Sequence, residues 1–225
     1  MSSVQRLEHK RQLKEQASEE GQNKRWDSRT DWARVQAEGI LKPVARVMAR
    51  VGIHPNTVTF LGMLLQFGVG IVFALGYIKV GGWLLLAVAP VDALDGALAR
   101  LLGKQSRFGA FLDSTLDRFS DAALITGLMV HYMINRGIYL EVVLLLISLV
   151  AAMMVSYVRA RAEALDFPCR IGVLTRMERV VLIGALSALG LPSVMMWMLA
   201  TLSVFTVFQR IFYVYVVFQR EDMSD

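Results

Sequence analysis

The sequence predicts an all-α integral membrane protein, with six transmembrane helices preceded by a cytoplasmic amphipathic surface helix. Three observations carry this. The chain is 55% hydrophobic with a mean hydropathy of +0.48, whereas a soluble domain is about 45–50% apolar. The apolar residues gather into runs of about 20, the number a helix needs to cross a bilayer core. The charges crowd into residues 1–50 and into short clusters between those runs.

Residues 1–29 read as a charged cytoplasmic tail. Arg6, Lys10, Arg11, Lys14, Glu15, Glu19, Glu20, Lys24 and Arg25 leave no apolar stripe, the composition of a solvated segment. Residues 30–53 read as a juxtamembrane helix. Trp32, Val35, Ile40, Leu41, Val44, Val47, Met48 and Val51 recur at helical spacing, and Arg34, Lys42, Arg46 and Arg50 fill other faces. Such a helix suits the membrane surface; packing against the rest of the protein is the alternative. Pro43 is a bending point.

Residues 54–220 hold the six spans, and 221–225 form a C-terminal tail. The spans cover about 56–78, 82–102, 108–133, 138–163, 177–191 and 193–218, the fifth being short for a bilayer. Lys79 and Arg136 are isolated, whereas Arg100, Lys104 and Arg107 cluster after the second span. Arg159, Arg161, Arg170, Arg176 and Arg179 cluster between the fourth and fifth. The positive-inside rule then places both clusters and both termini in the cytoplasm, in a cell membrane.

Other classes are disfavoured. The net charge of +5 and pI near 9.6 do not indicate nucleic acid, because the basic residues follow membrane topology. The single cysteine, Cys169, excludes an intramolecular disulfide. The first apolar run comes too late for a secretory signal.

Four aspartates are the functional signal. Asp92 and Asp95 lie on the second span at i,i+3, and Asp113 and Asp117 on the third at i,i+4. Each pair shares one helix face. Carboxylates at such depth are costly and mark function. Two facing pairs make a cage for two Mg²⁺ ions, or Mn²⁺, because hard oxygen ligands suit hard cations. No histidine or cysteine lies near enough to suggest zinc. Two such ions can clamp a pyrophosphate and stabilise a leaving phosphate. Gly96 lets a nucleotide approach the backbone, and Arg100 one turn on can pair with phosphate. The structural alternative is ion pairing with Arg100, Arg107 or Arg118. The alternative of another functional class is a divalent-cation transporter or channel. It predicts carboxylates spread along a through-pathway, and the pairs do not recur in the second half as an inverted repeat requires.

Asp92, Asp95, Gly96, Ala99, Arg100, Gly109, Asp113 and Asp117 fit D-x2-D-G-x2-A-R-x8-G-x3-D-x3-D at every fixed position. This resembles the signature of the CDP-alcohol phosphotransferase family, and the resemblance extends over roughly residues 40–220. It implies a phosphatidyltransferase of phospholipid biosynthesis. In it Asp92, Asp95, Asp113 and Asp117 bind metal, and Asp117 is also the general base. The acceptor hydroxyl attacks the β-phosphorus of CDP-diacylglycerol, and CMP leaves. The resemblance further implies that Asn56, Thr57, Val58 and Thr59, with Ser106, contact the nucleotide, and that the protein is a homodimer in the lipid bilayer. Asp121 continues the Asp113–Asp117 face one turn on and reads as a support for those carboxylates or a salt-bridge partner, with no assigned catalytic role.

The acceptor rests on basic residues farther along. Arg159 and Arg161 end the fourth span, and Arg176-Met177-Glu178-Arg179 opens the fifth. Arg159, Arg161 and Arg179 look like the acceptor-phosphate pocket of the phosphatidylinositol-phosphate synthase branch, which uses inositol 1-phosphate. Two features differ from that branch: Gly103-Lys104-Gln105 replaces a glycine run, and Arg159 stands where lysine is frequent. The rival is phosphatidylglycerol-phosphate synthase, with glycerol 3-phosphate as acceptor. Its Gly-Lys-x-Lys-Thr element is replaced here by Gly172-Val173-Leu174-Thr175-Arg176.

Overall fold

The computed structural model describes residues 43–136, 139–167, 169 and 171–222. The tail at 1–29, residues 30–42 of the juxtamembrane helix, Arg170 and residues 223–225 lie outside the described residues. Within them all regular structure is helical. The helices are α1 (43–50), α2 (Pro55–Ala74), α3 (Ile78–Val88), α4 (Val91–Leu101), α5 (Arg107–Val130), α6 (Tyr139–Glu163), α7 (Arg176–Ala188) and α8 (Pro192–Asp222). A π-helical segment, His131–Arg136, follows α5.

Among the described residues, three helices are long and apolar enough to cross a membrane: Pro55–Ala74, Tyr139–Glu163 and 28 residues of α8, Pro192–Gln219. Much of their surface faces outward; α2 exposes Phe60, Leu64, Phe67 and Ile71, as lipid contact requires. The remaining predicted spans depart from that criterion for identifiable reasons. The second is not one helix from 82 to 102. It starts at Ile78 and breaks at Ala89-Pro90, because proline has no amide hydrogen to continue the ladder. The third is long enough, but α5 carries Asp113, Asp117, Arg118 and Asp121. The fifth, α7, has 13 residues, about 20 Å of helix against a ~30 Å hydrocarbon core.

Local chemistry sets the ends of the site helices. Pro55 opens α2 at its first turn, and His54 is the cap, accepting the Asn56 N–H at 3.3 Å. Ser106 caps α5, its Oγ accepting the Gly109 N–H at 2.9 Å.

The bundle pairs α2 with α5, α6 with α8 and α3 with α7. Glycine makes the first of these contacts possible: a Cβ on Gly127 of α5 would stand 2.1 Å from the Gly70 carbonyl oxygen of α2. The two backbones therefore touch, in the small-residue manner of membrane helices. The main core runs through Phe73, Leu85, Leu124, Leu128, Leu145, Ile183, Met196 and Leu199. A second cluster joins Ala45, Val58, Leu94, Ala97 and Leu98, with Met48 and Ala49 of α1 packed on it. In its described part the juxtamembrane helix thus presents one face to protein, while Val44, Val47 and Val51 are exposed.

Candidate active site

The start of α2, the end of α4 and the start of α5 meet at one end of the bundle, around a cleft of about 320 Å³. Its wall includes Asn56 and Thr59 from α2, Asp95, Gly96 and Arg100 from α4, and Ser106, Gly109 and Asp113 at the start of α5. Lys104 and Gln105 of the intervening loop also line it. Residues named from one linear signature and from a separate stretch before it therefore share one cavity. A Cβ on Gly96 would meet nothing nearer than Arg100 Nη1 at 3.5 Å. Protein packing leaves room for a side chain there, so the glycine serves the cleft and not the core.

Two predicted cleft residues lie elsewhere. Val58 is buried at 1% exposure in the α1–α2–α4 cluster, because it is turned about 100° around α2 from Thr59. Thr57 is exposed and is not part of the cleft wall.

Asp92, Asp95 and Asp117 are held from three directions, and Asp113 lines the cleft beside Asp95. The Thr59 hydroxyl donates to Asp95 Oδ2 at 2.6 Å, and the Gly96 N–H to Asp95 Oδ1 at 2.5 Å. Gln66, fully buried on α2, donates its Nε2 hydrogen to Asp92 Oδ2 at 2.7 Å. Gly62 gives Asp92 room, since a Cβ there would stand 3.1 Å from Asp92 Oδ1. From the third direction comes Arg176, the first residue of α7. Its Nη2 lies 2.9 Å from Asp92 Oδ2 and its Nη1 2.9 Å from Asp117 Oδ1. One guanidinium thus bridges the two carboxylate pairs.

This adds a cation to the structural alternative drawn from the sequence. Arg118, one of the three arginines considered for it, lies 3.8 Å from Asp117. The principal counter-cation comes from a helix more than fifty residues on in the chain. Sequence reasoning placed Arg176 in a basic helix start, but not against the carboxylates. It missed Gln66 altogether; the one signal was a glutamine inside an apolar run.

The predicted acceptor arginines separate. Arg159 and Arg161 are exposed at the end of α6, and Arg159 Nε donates to Glu163 at 2.8 Å. Arg179 is 1% exposed and donates to Asp121, itself 4% exposed. Asp121 Oδ1 is also 3.8 Å from Arg176 Nε. Arg179 Nε and Nη1 are buried with no hydrogen-bond partner, so this guanidinium keeps donor capacity beyond Asp121.

The set fits a hard divalent cation in chemistry: four carboxylates, oxygen donors only, beside a polar cleft. As they stand around the Arg176 guanidinium, no three acidic, histidine or cysteine side chains among the described residues converge on one ion.

Comparison with known proteins reads this geometry. Residues 52–209 match the model of the CDP-alcohol phosphatidyltransferase family. The phosphatidylinositol phosphate synthase of Cutibacterium acnes is 36% identical over 154 residues, 68% of this chain and 72% of that one. The archaetidylinositol phosphate synthase of Pyrococcus horikoshii is 36% identical over 173 residues, 76% and 89%. The crystal structure of Mycobacterium tuberculosis phosphatidylinositol phosphate synthase with CDP-DAG bound superposes with a TM-score of 0.74 at 35% identity, covering 78% of this chain and 94% of that one. The same enzyme has been solved with manganese and citrate, again at a TM-score of 0.74, with 34% identity and coverage of 78% and 88%. The match runs from just ahead of α2 deep into α8 and takes in the helical bundle as well as the signature: the chain is an enzyme of the CDP-alcohol phosphatidyltransferase family.

Proposed function

We propose that this enzyme transfers the phosphatidyl group of CDP-diacylglycerol to a hydroxyl of inositol 1-phosphate and releases CMP. The observation that carries the reading is the cleft. It joins the polar start of α2 to Asp95, Asp113 and Arg100, so a nucleotide-linked diphosphate seated there would meet the carboxylate cage. The phosphatidylinositol phosphate synthases among its relatives support the acceptor.

Asp92, Asp95, Asp113 and Asp117 would hold the two Mg²⁺ or Mn²⁺ ions, which when bound offset diphosphate charge and stabilise the departing phosphate. The chain's own residues do the rest. Thr59 and Gln66 fix the rotamers of Asp95 and Asp92 through the bonds above. Arg100 steadies the diphosphate by charge. Asp117 accepts the proton of the attacking hydroxyl. The hydroxyl oxygen bonds to the β-phosphorus while the bond from that phosphorus to the CMP oxygen breaks, and CMP leaves as the anion. Holding the hydroxyl in line supplies much of the acceleration. Arg159 and Arg161, exposed at the end of α6, would supply cations for the acceptor phosphate, while Arg179, buried against Asp121, would act from behind the site wall with donors in reserve.

In this reading six helical segments cross the cell membrane and both termini are cytoplasmic. The cleft opens to the cytoplasm, lipid tails enter from the bilayer, and the protein is a homodimer. The test is CMP release by the purified full-length enzyme from CDP-diacylglycerol and Mg²⁺, offered inositol 1-phosphate, glycerol 3-phosphate or free inositol. Release with inositol 1-phosphate alone is expected. Preference for glycerol 3-phosphate would transfer the enzyme to the phosphatidylglycerol-phosphate branch. Cation flux in liposomes without CMP release would overturn the enzymatic reading.

A further inference from the structure

Arg176 occupies an unusual position for a cation. It is the first residue of α7, where the helix dipole presents positive charge and disfavours another. The preceding loop is tied down from α8. The Leu174 N–H donates to Thr206 Oγ1 at 3.1 Å and the Val173 N–H to Gln209 Oε1 at 3.2 Å, while Arg210 Nε donates to the Ile171 carbonyl at 2.8 Å. The side chain delivered by this loop bridges Asp92 and Asp117 at 2.9 Å each. Its Nε is buried with no hydrogen-bond partner, 3.8 Å from Asp121 Oδ1. The guanidinium is therefore held by charge on one side and incompletely satisfied on the other.

We propose that Arg176 is a resident counter-cation of the carboxylate cage that a divalent metal must displace, so that this side chain sets the enzyme's metal affinity. The inference rests on reading the aspartates as the metal site. The reason is competition for the same atoms. A metal ion ligated by Asp92 and Asp117 takes oxygens that Arg176 now holds, and two cations at ligand distance in a partly buried site repel strongly. Asp121 offers the displaced guanidinium a second acceptor, because Arg179 takes only its other oxygen. Before metal binds, Arg176 screens the repulsion between Asp92 and Asp117 and keeps the cage folded. After exchange, Asp117 is released from its ion pair. Arg176 is thus a positioning residue acting through the carboxylates.

The test is Mn²⁺ binding to metal-stripped, full-length protein in detergent, without CDP-lipid or acceptor, followed by the loss of the free-ion paramagnetic resonance signal. Arg176→Gln should bind Mn²⁺ about tenfold tighter or more than the native enzyme, since removing two charge-assisted bonds from the competing state is worth at least that factor. Arg176→Lys keeps the charge but loses the two-pronged fork, and should fall between. Metal-free Arg176→Gln protein should also unfold at lower temperature and regain more on adding Mn²⁺. Native protein that binds Mn²⁺ while Arg176→Gln binds it no tighter overturns the counter-cation inference alone. If Arg176→Gln does not fold, an Arg176→Lys affinity equal to or weaker than native overturns it. No Mn²⁺ binding by the native protein or either variant overturns the metal reading and this inference with it.

Discussion

Gln66 separates what holds the helices together from what aims the site. It is fully buried on α2, donates to Asp92 Oδ2 at 2.7 Å, and leaves its own Oε1 buried without a partner. Gln66→Leu removes both polar atoms at nearly constant volume. Losing a hydrogen bond to a charged acceptor costs about 1.5–3 kcal/mol, and removing an unpaired buried carbonyl returns about 1–3 kcal/mol. Folding stability should therefore shift by less than about 1 kcal/mol, or about 2–4 °C for a chain of this size. The site has no such cancellation. Asp92 loses the donor that orients it on the α2 side, and loss of a group orienting a metal ligand typically lowers metal affinity or activity about 10–100-fold. The assay is CMP release across a Mg²⁺ titration, with thermal unfolding of the same preparation. A raised Mg²⁺ requirement and lower turnover at an unfolding temperature within about 2–4 °C of the native one are expected. Unchanged turnover and Mg²⁺ dependence would refute the reasoning, as would a loss of activity that merely tracks unfolding.

Three further outcomes follow from the geometry. Gly127→Ala pushes a methyl to 2.1 Å from the Gly70 carbonyl oxygen, so α2 and α5 must part, at about 1–3 kcal/mol; Gly68→Ala, with nothing within 4 Å of the added carbon, should gain about 0.5–1 kcal/mol. Thermal unfolding of the two variants should therefore move in opposite directions. Asp117→Asn should lower CMP release by about 10²-fold or more while CDP-lipid binding persists, and near-native release would remove Asp117 as base. Arg210→Leu removes the bonds this buried arginine donates to the Val155 and Ile171 carbonyls, about 1.5–3 kcal/mol for each bond from a charged donor, measurable as earlier unfolding and, through the loop before α7, as lost activity.

How much of this was written locally depends on the range of the interaction. The apolar runs at 56–78, 138–163 and 193–218 correspond to Pro55–Ala74, Tyr139–Glu163 and Pro192–Asp222, because a membrane helix satisfies its own backbone and needs little from its neighbours. The carboxylate pairs were legible for the same reason: i,i+3 and i,i+4 spacing fixes a common face without tertiary information. The break in the second span had a local sign, Pro90, but an apolar run continued across it and masked the missing amide. Which distant residue meets which aspartate left no local sign. Thr59 and Asp95 are joined across 36 positions, Gln66 and Asp92 across 26, and Asp121 and Arg179 across 58. Each is a pairing between helices, decided by how α2, α4, α5 and α7 pack. Val58 shows the limit of a contiguous stretch: successive side chains of a helix turn by about 100°, and of residues 56–59 the cleft wall includes Asn56 and Thr59.

The start of α7 shows which demand prevailed when local and global preferences conflicted. Arg176 and Arg179 put two cations in the first turns of a helix, where each is unfavourable by about 0.3–1 kcal/mol. Glu178, which accepts from the Thr175 hydroxyl, restores some of the expected polarity. The helix is also too short to owe its place to lipid contact alone, and the loop feeding it is held by Thr206, Gln209 and Arg210 of α8. These costs make sense together only if the helix end exists to present guanidinium groups to Asp92, Asp117 and Asp121. Departures from local preference gather where a site needs them. In that sense α8, which carries none of the signature residues, is part of the machinery: by fixing the loop it fixes the distance between an arginine and the carboxylates it balances.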